Sequence, residues 1–453
     1  MNQIVGVLEL SSKYRYGLTS RGAPLYLFRP YDEALPEYVV GSTHRDTNRN
    51  QIALIECSQN NTNEKIRGTL VRLIGPVGDY AAEKEALLIY YCPFIHKTVQ
   101  TDPDTSDDEH RQLLDAENGW TTFHIDPPGC RDIDDAIAYN RDTKVWAITI
   151  ADVAASIPVK SSIDCTAAEI GSTFYSLEGQ VLRPMLPATI SEGSASLIPG
   201  QRRRGLTLFI DPDGTERFGL TWITVDNSFT YDSFVGSALA FDLEISREPH
   251  AWIESLMIRY NRAVADRFKM AATGILRVQP AASADKIAAW AAISPELANE
   301  AAIYEVASTE SQDQAHASLG LAAYCHASSP LRRYADLVNQ RVLKALLKGQ
   351  QLLVDPDLIE KLNSRGKANK RWGRDLTFLT HVVPGRVHEI AVVWASADQV
   401  WVPTWKRLIR IRHDEVHEPG YKGMIQIFCD PTKRNWTRRI LTASNQNQSG
   451  LVG

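Results

Sequence analysis

The sequence predicts an α+β fold in which two small β-barrels flank a larger mixed α/β domain. Two observations carry this. Short apolar clusters between Gly, Pro and Asn turns fill residues 1 to about 95 and return from about 384 to 440, while the stretch between them passes from strand-like runs to helical spacing. In addition, 453 residues exceed one ordinary core, and 44% apolar with 23% charged residues is a globular balance.

In the first block, IVGVLEL, APLYLF, QIALIEC, GTLVRLIG and EALLIYYC read as five strands of an OB or cold-shock type of barrel over residues 1–97. Residues 98–119, TVQTDPDTSDDEHRQLLDAENG, are acidic and poor in strand formers, and read as a linker or a short solvated helix. The central domain spans 120–383. Its first half is strand-rich, with VWAITIADV at 145–153 and GLTLFID at 205–211. Its second half is helical: Ile253, Leu256, Met257, Tyr260, Val264 and Phe268 repeat every three or four residues, and the stretches 284–308 and 331–348 are similar. EIAVVWA, QVWVPTW and GMIQIFC then suggest the second barrel, S1 or OB-like, over 384–441, followed by a disordered tail at 442–453.

Charge is unevenly spread. Residues 361–453 carry 16 Lys and Arg against 7 Asp and Glu, on a chain whose net charge is −5. A basic end on an acidic body suggests contact with a polyanion there. Trp401, Trp405 and Trp436 interleave with Lys406, Arg407, Arg410, Arg412 and other cations, a pattern suited to single-stranded nucleic acid. The six cysteines are scattered without a CxxC pair, which disfavours a zinc site and suits a reducing compartment. With no run of about 18 uncharged apolar residues and no leader pattern, the expectation is an intracellular protein, cytoplasmic in the simplest case, without a membrane partner.

Two stretches carry chemistry. HIDPPGCRDIDDA places Asp126, Asp132, Asp134 and Asp135 within ten residues, between a strand end and a strand start. Carboxylates this close repel unless solvated or bridged by a cation, and hard divalent ions prefer such oxygen ligands. The order is not that of an EF-hand, and a solvated acidic turn is the bland alternative. YCHASSPLRRYAD (324–336) puts a Ser-Ser-Pro turn before a helix expected to begin near Leu331, with Ser328 and Ser329 as caps. Arg332 and Arg333 would then occupy its first turn, where cations gain nothing from the helix dipole but can grip phosphate.

Together these stretches resemble the ribonuclease II (RNB) family of 3′→5′ exoribonucleases, in its eukaryotic form similar to the exosome catalytic subunit. HIDPPGCRDIDDAIAYN is similar to the family's IDP-x4-RDIDDAI signature, and VWAITIADVAASIP to its HIADV strand. GSTFYSLEGQVLRPMLP (171–187) and SSPLRRYADLVNQRVL (328–343) follow in the family's order. RGTLVRLIGPVGDYAAEKEALLIYYCP (67–93) resembles the end of a cold-shock domain, so the resemblance implies one cold-shock barrel without its companion or an endonuclease (PIN) domain.

The resemblance implies a Mg²⁺-dependent hydrolase, with Mn²⁺ as an alternative, that shortens single-stranded RNA to 5′-mononucleotides. It implies that Asp126, Asp132, Asp134 and Asp135 hold metal, that Asp134 is catalytic, and that Arg332 holds the scissile phosphate. Tyr175 would stack near the 3′ nucleotides, and Glu254 would contact a terminal ribose. The residue pattern itself reads Arg333, at the helix start, and Trp405, Lys406 and Arg407, in the basic end, as further RNA contacts. His326 falls on a family histidine better read as packed or capping. Gly373 stands where the family has a glutamate, NQR (339–341) replaces VHR, and His316-Ala317 or a shifted ASLGL replaces HFGL. An RNA-binding protein that keeps the RNB shell but degrades nothing, and a DNA nuclease, are the competing readings. No protein partner is evident from the sequence, and a monomer is the simplest expectation.

Overall fold

The computed structural model describes residues 3–57, 66–97, 103–245, 248–279, 284–293, 309–311, 320–381, 387–405, 407–411, 417–429 and 440–443. The N-terminal unit is a closed barrel of β1 (Gln3–Leu8), β2 (Leu25–Pro30), β3 (Tyr38–Gly41), β4 (Gln51–Cys57) and β5 (Ile66–Pro76), in the order β1-β2-β3-β5-β4. Leu8, Phe28, Val40 and Ile55 fill it. Gly6 is required where β1 crosses β2, because a Cβ there would collide with the Arg29 carbonyl and the Phe28 ring.

The fifth expected strand, EALLIYYC, is instead part of helix α1 (Tyr80–Tyr91). Asp79 caps it by accepting from the Ala82 N–H, and Glu83 is buried against the Tyr31 hydroxyl at 2.7 Å. The place of that strand is taken by the four-residue β3, too short to show a period.

The central domain is built on a seven-stranded sheet. Its strands are β6 (Gln112–Leu114), β7 (Trp120–Ile125), β8 (Asp135–Asn140), β9 (Trp146–Ala151), β12 (Arg202–Ile210), β13 (Glu216–Thr224) and β14 (Asn227–Phe229), in the order β14-β7-β8-β9-β12-β13-β6. Between β9 and β12 lie α2 (Ser162–Ile170) and the ribbon of β10 (Phe174–Tyr175) with β11 (Val181–Arg183). After β14 come α3 (Tyr231–Phe234), α4 (Ala238–Asp242), the long α5 (Pro249–Ala271), β15 (Leu276–Val278), α6 (Ala284–Ile293), β16 (Thr309–Ser311), α7 (Tyr334–Leu347) and α8 (Pro356–His381). The core lies between the sheet and these helices, where Phe123, Phe234 and Trp252 stack with planes 6–12° apart.

Residues 107–119 do not form a linker. β6 pairs in parallel with β13, and Arg111 is buried with its Nη2 2.5 Å from Asp152 Oδ2. Lys344 of α7 completes the network, 2.9 Å from Asp152 and 3.3 Å from Asp107. Asp107 and Asp108 are therefore neutralised by cations distant in the sequence, while Asp104, Glu109 and Glu117 face solvent.

The C-terminal unit is an antiparallel sheet of β17 (His388–Ser396), β18 (Gln399–Val402), β19 (Arg407–Arg410), β20 (Lys422–Cys429) and β21 (Ile440–Ala443), in the order β19-β18-β17-β20-β21. Among the described residues no pairing joins β19 to β21. The expected tail begins inside β21, and residues 444–453 lie outside the described residues. Tyr91 of α1 donates to Asp375 of α8 at 2.5 Å, tying the N-terminal unit to the central domain. No helix among the described residues is long and apolar enough to cross a membrane.

Candidate active site

The acidic loop joins the antiparallel neighbours β7 and β8. Pro127-Pro128-Gly129 turns the chain, with Gly129 at φ +79° and the Cys130 N–H donating to the Pro127 carbonyl at 3.1 Å. Ser196, fully buried, then clamps the far limb. Its hydroxyl accepts from the Ile133 N–H at 3.0 Å and donates to the Arg131 carbonyl at 2.7 Å. The Leu197 N–H adds a bond to the Ile133 carbonyl, and the Ala151 N–H one to the Asp134 carbonyl.

Each acid has its own setting. Asp126 Oδ2 lies 2.8 Å from His124 Nδ1, and Asp132 Oδ2 accepts from the Tyr175 hydroxyl at 3.1 Å. Asp134, 2% exposed, accepts from the Leu331 N–H at Oδ1 over 2.9 Å. Arg332 Nε stands 3.0 Å from Asp134 Oδ2, an ion-pair distance without hydrogen-bond alignment, so that buried oxygen has no hydrogen-bond donor. Burial pushes the Asp134 carboxyl up to about 7 against the pull of Arg332. Burial, followed by repulsion from Asp126 and Asp134, raises Asp135 as well. Among the described residues no three acidic, His or Cys side chains converge into a protein-only cation cage. The oxygen-only donor set and the orphaned Asp134 oxygen still suit Mg²⁺, which keeps several waters and needs only one or two carboxylates.

The two arginines part ways. The helix α7 starts at Tyr334, later than expected, so Arg332 and Arg333 precede it. The serines do not cap it: Ser329 Oγ accepts from Arg332 Nη2 and Ser328 Oγ from Asn261. No side chain caps the helix. Asp336 in its first turn sits where the dipole favours an acid, and it ties the preceding turn down by accepting from the Ser329 N–H at 2.8 Å. Arg333 is committed to that same buried carboxylate through two bonds of 2.9 and 2.8 Å. Arg332 keeps about half of its side chain exposed.

Residues 171–173 dock on this turn. The Thr173 N–H bonds the Arg332 carbonyl and the Tyr334 N–H bonds the Gly171 carbonyl, each at 2.9 Å. Gly171, at φ +79°, admits the Arg365 side chain where a Cβ would stand. Trp372 of α8 holds the Tyr175 carbonyl at 3.0 Å. This seats the Tyr175 hydroxyl on the acidic loop, a contact the sequence did not reveal.

A cavity of about 490 Å³ opens beside Arg332 and Tyr175. Arg277, Arg332, Arg333, Lys367 and Lys370 line it, with Glu310 as the one acid among the described lining residues. Lys367 and Lys370 were missed by the sequence reading, although Asn363, Lys367, Lys370 and Arg374 repeat at helical spacing along α8. His124 was missed too; its spacing of two from Asp126 puts both side chains on one strand face. His326 belongs to the cavity wall, 3.3 Å from Glu310.

Other expected contacts fall elsewhere. Glu254 is exposed on α5 and does not line the cavity. Trp405 is 8% exposed and packs on Phe378 with ring centroids 4.3 Å apart, so it is core rather than a stacking platform. Arg407 lies over the Phe378 ring and 3.8 Å from Asp375, joining the C-terminal sheet to α8. Trp401 is core as well, against Trp290. Lys406, Arg412, Trp436 and the 316–319 alternatives lie outside the described residues. In the NQR stretch, Gln340 donates to the Ala151 carbonyl at 2.6 Å and Asn339 holds Ile275, which are structural ties.

The RNB domain family matches residues 111–236 and 236–349, the segment that holds both the acidic loop and the arginine turn. The chain belongs to the RNB domain family. Ribonuclease R of Helicobacter pylori is 25% identical, with 55% of this chain and 53% of that protein covered. A probable exosome exonuclease RRP44 of Caenorhabditis elegans is 26% identical over 43% of this chain and 22% of its own length. The chain spans about half the length of the first of these relatives. In fold it is similar to RNase R of Mycoplasma genitalium in complex with ribose-methylated single-stranded RNA, with TM-score 0.72, 16% identity and coverage of 98% of this chain and 90% of that one. Yeast Ssd1, described as a pseudonuclease, gives TM-score 0.68 at 16% identity, over 96% of this chain and 67% of that one. The RNB fold thus accommodates both, and only the side chains at the site can separate them.

Proposed function

We propose that this RNB-family chain is a hydrolytic 3′→5′ exoribonuclease that shortens single-stranded RNA to 5′-mononucleotides. The observation that carries the reading is the buried, donorless Asp134 Oδ2 beside Arg332, on a loop with three further aspartates and at the edge of a cation-lined cavity. Asp126, Asp132, Asp134 and Asp135 are the residues that would hold Mg²⁺, or Mn²⁺ in its place. When bound, the ion supplies a more acidic water and offsets the cost of keeping Asp134 and Asp135 ionised where burial raises them. Arg332, tethered but half exposed, is suited to stabilise charge growing on phosphoryl oxygens. The cations of the cavity favour a backbone of phosphates, and Tyr175, on the same cavity wall, orients Asp132 with its hydroxyl.

The test is direct. The purified protein, given 5′-labelled single-stranded RNA and Mg²⁺, should shorten it progressively from the 3′ end. Asp134→Asn keeps the acceptor for Leu331 and should abolish shortening while sparing the fold. No shortening by wild type, or equal shortening by the variant, refutes the reading.

One observation favours a second reading. Tyr175 and Cys130 already occupy Asp132, and Leu331 and Arg332 stand against Asp134, so the acids are partly satisfied by the protein itself. An RNA-binding protein without hydrolysis would show tight RNA binding and no Mg²⁺-dependent product.

A further inference from the structure

The cavity wall holds a carboxylate with one hand free. Glu310 lies on β16, opposite Arg277 of β15, and is 8% exposed. Its Oε1 accepts from Arg277 Nη1 at 2.7 Å and lies 3.3 Å from His326 Nδ1. Its backbone is fastened at both ends to Asn363 of α8, by bonds of 2.8 and 2.9 Å. Its Oε2 is buried and has no hydrogen-bond partner. Burial opposes ionisation, but His326 and Arg277 outweigh it and hold the Glu310 carboxyl below its ordinary value. An ionised, firmly seated acid with an unused acceptor is costly unless something donates to it.

The surroundings say what that donor is. Arg332, Lys367 and Lys370 offer hydrogen-bond donors, and Arg277 and Arg333, bonded to Glu310 and Asp336, add positive charge, which together phosphate oxygens satisfy. A carboxylate in that ring repels phosphate and needs an O–H or N–H. Along a nucleic-acid backbone the donors are the ribose 2′-hydroxyl and the terminal 3′-hydroxyl, and interior deoxyribose has none. Glu310 lines the cavity, and its unpartnered Oε2 is the acceptor left for a donor entering it. We propose that Glu310 is the residue with which this cavity reads a ribose 2′-hydroxyl, the donor that deoxyribose lacks at every position, and so distinguishes RNA from DNA. The inference rests on the RNA reading of the cavity given above.

The experiment measures binding, not turnover. Fluorescence anisotropy in EDTA compares a 5′-fluorescein oligouridylate with the matching oligodeoxyuridylate and with an oligoadenylate, for wild type, Glu310→Gln and Glu310→Ala. Wild type should prefer the ribo strand by roughly 10- to 100-fold, the worth of one hydrogen bond to a charged group. Glu310→Ala should remove most of that preference, and Glu310→Gln should reduce it. Affinity for the deoxy strand should hold or rise in both variants, because an acid has been taken out of a cationic ring. An unchanged ribo-to-deoxy ratio in both variants overturns the inference. So does equal loss of both affinities, which marks a structural role, or a preference that follows the base rather than the sugar. Failure of wild type to bind the ribo strand at all overturns the RNA reading itself, a separate result.

Discussion

Ser196→Ala tests whether the acidic loop is held in the way its contacts imply. The hydroxyl has two partners with different fates once it is gone. Ile133 is 3% exposed, so its N–H loses the acceptor at 3.0 Å with no water to replace it, a cost of about 1–3 kcal/mol. The Arg131 carbonyl belongs to an exposed residue and can turn to solvent, so losing the 2.7 Å bond there costs only about 0.5–1.5 kcal/mol. Together the variant should be destabilised by about 1.5–4.5 kcal/mol, with little cavity contribution because one oxygen is removed. Urea denaturation followed by tryptophan fluorescence measures this, with the slope against denaturant showing whether the native state is otherwise intact. Below the transition, the loosened Asp132–Asp134 limb should demand more Mg²⁺ for half-maximal RNA shortening, with the affinity for RNA in EDTA unchanged. A loss below about 0.5 kcal/mol, within the range of a neutral surface change, would refute the clamp.

Two further substitutions probe the helices around the cavity. Gly373 lies inside α8 and a Cβ there meets nothing within 4 Å, so Gly373→Ala should raise stability by about 0.5–1 kcal/mol in the same denaturation assay. Arg333→Met should cost about 3–5 kcal/mol, because Asp336 is 0% exposed and would be left charged without its partner; a loss under 1 kcal/mol would show the pair to be dispensable.

What could be read from the chain and what could not follow from the reach of each interaction. The strands flanking the acidic loop announce themselves because alternation and burial act within a few residues. Helix α1 did not, since EALLIYYC is rich in residues that also suit strands, and the Asp79 cap and the Glu83–Tyr31 bond that decide the matter lie outside that run. The paired acids before β6 looked solvated because their neutralising partners are far away: Arg204 is 96 residues from Asp108, and Asp107 is met by Lys344 and Lys348 of the distant helix α7 and its end. Trp405 and Arg407 fit a single-strand platform by composition alone. Only the packing of both against Phe378 shows that they serve the junction with α8.

The paired arginines show where the boundary between fold and function falls. Arg333 and Asp336 are three apart in RRYAD, so a local ion pair was available from the sequence, and the structure uses it with two bonds to a buried carboxylate. Such a pair stabilises the start of α7 and leaves Arg333 little freedom to seek a phosphate. Arg332 has the same acid four residues on, but the structure gives Asp336 to Arg333. The counter-charge of Arg332 is Asp134, whose other oxygen is held by Leu331 from 197 residues away. That long-range contact exists only because β7 and β8 bring the acidic loop to the arginine turn. The cation that does not take the local acid is therefore the one the fold delivers to the acidic loop, and it keeps about half its side chain exposed. Of the two neighbouring arginines, Arg332 can accordingly bind substrate while Arg333 holds the turn that presents it.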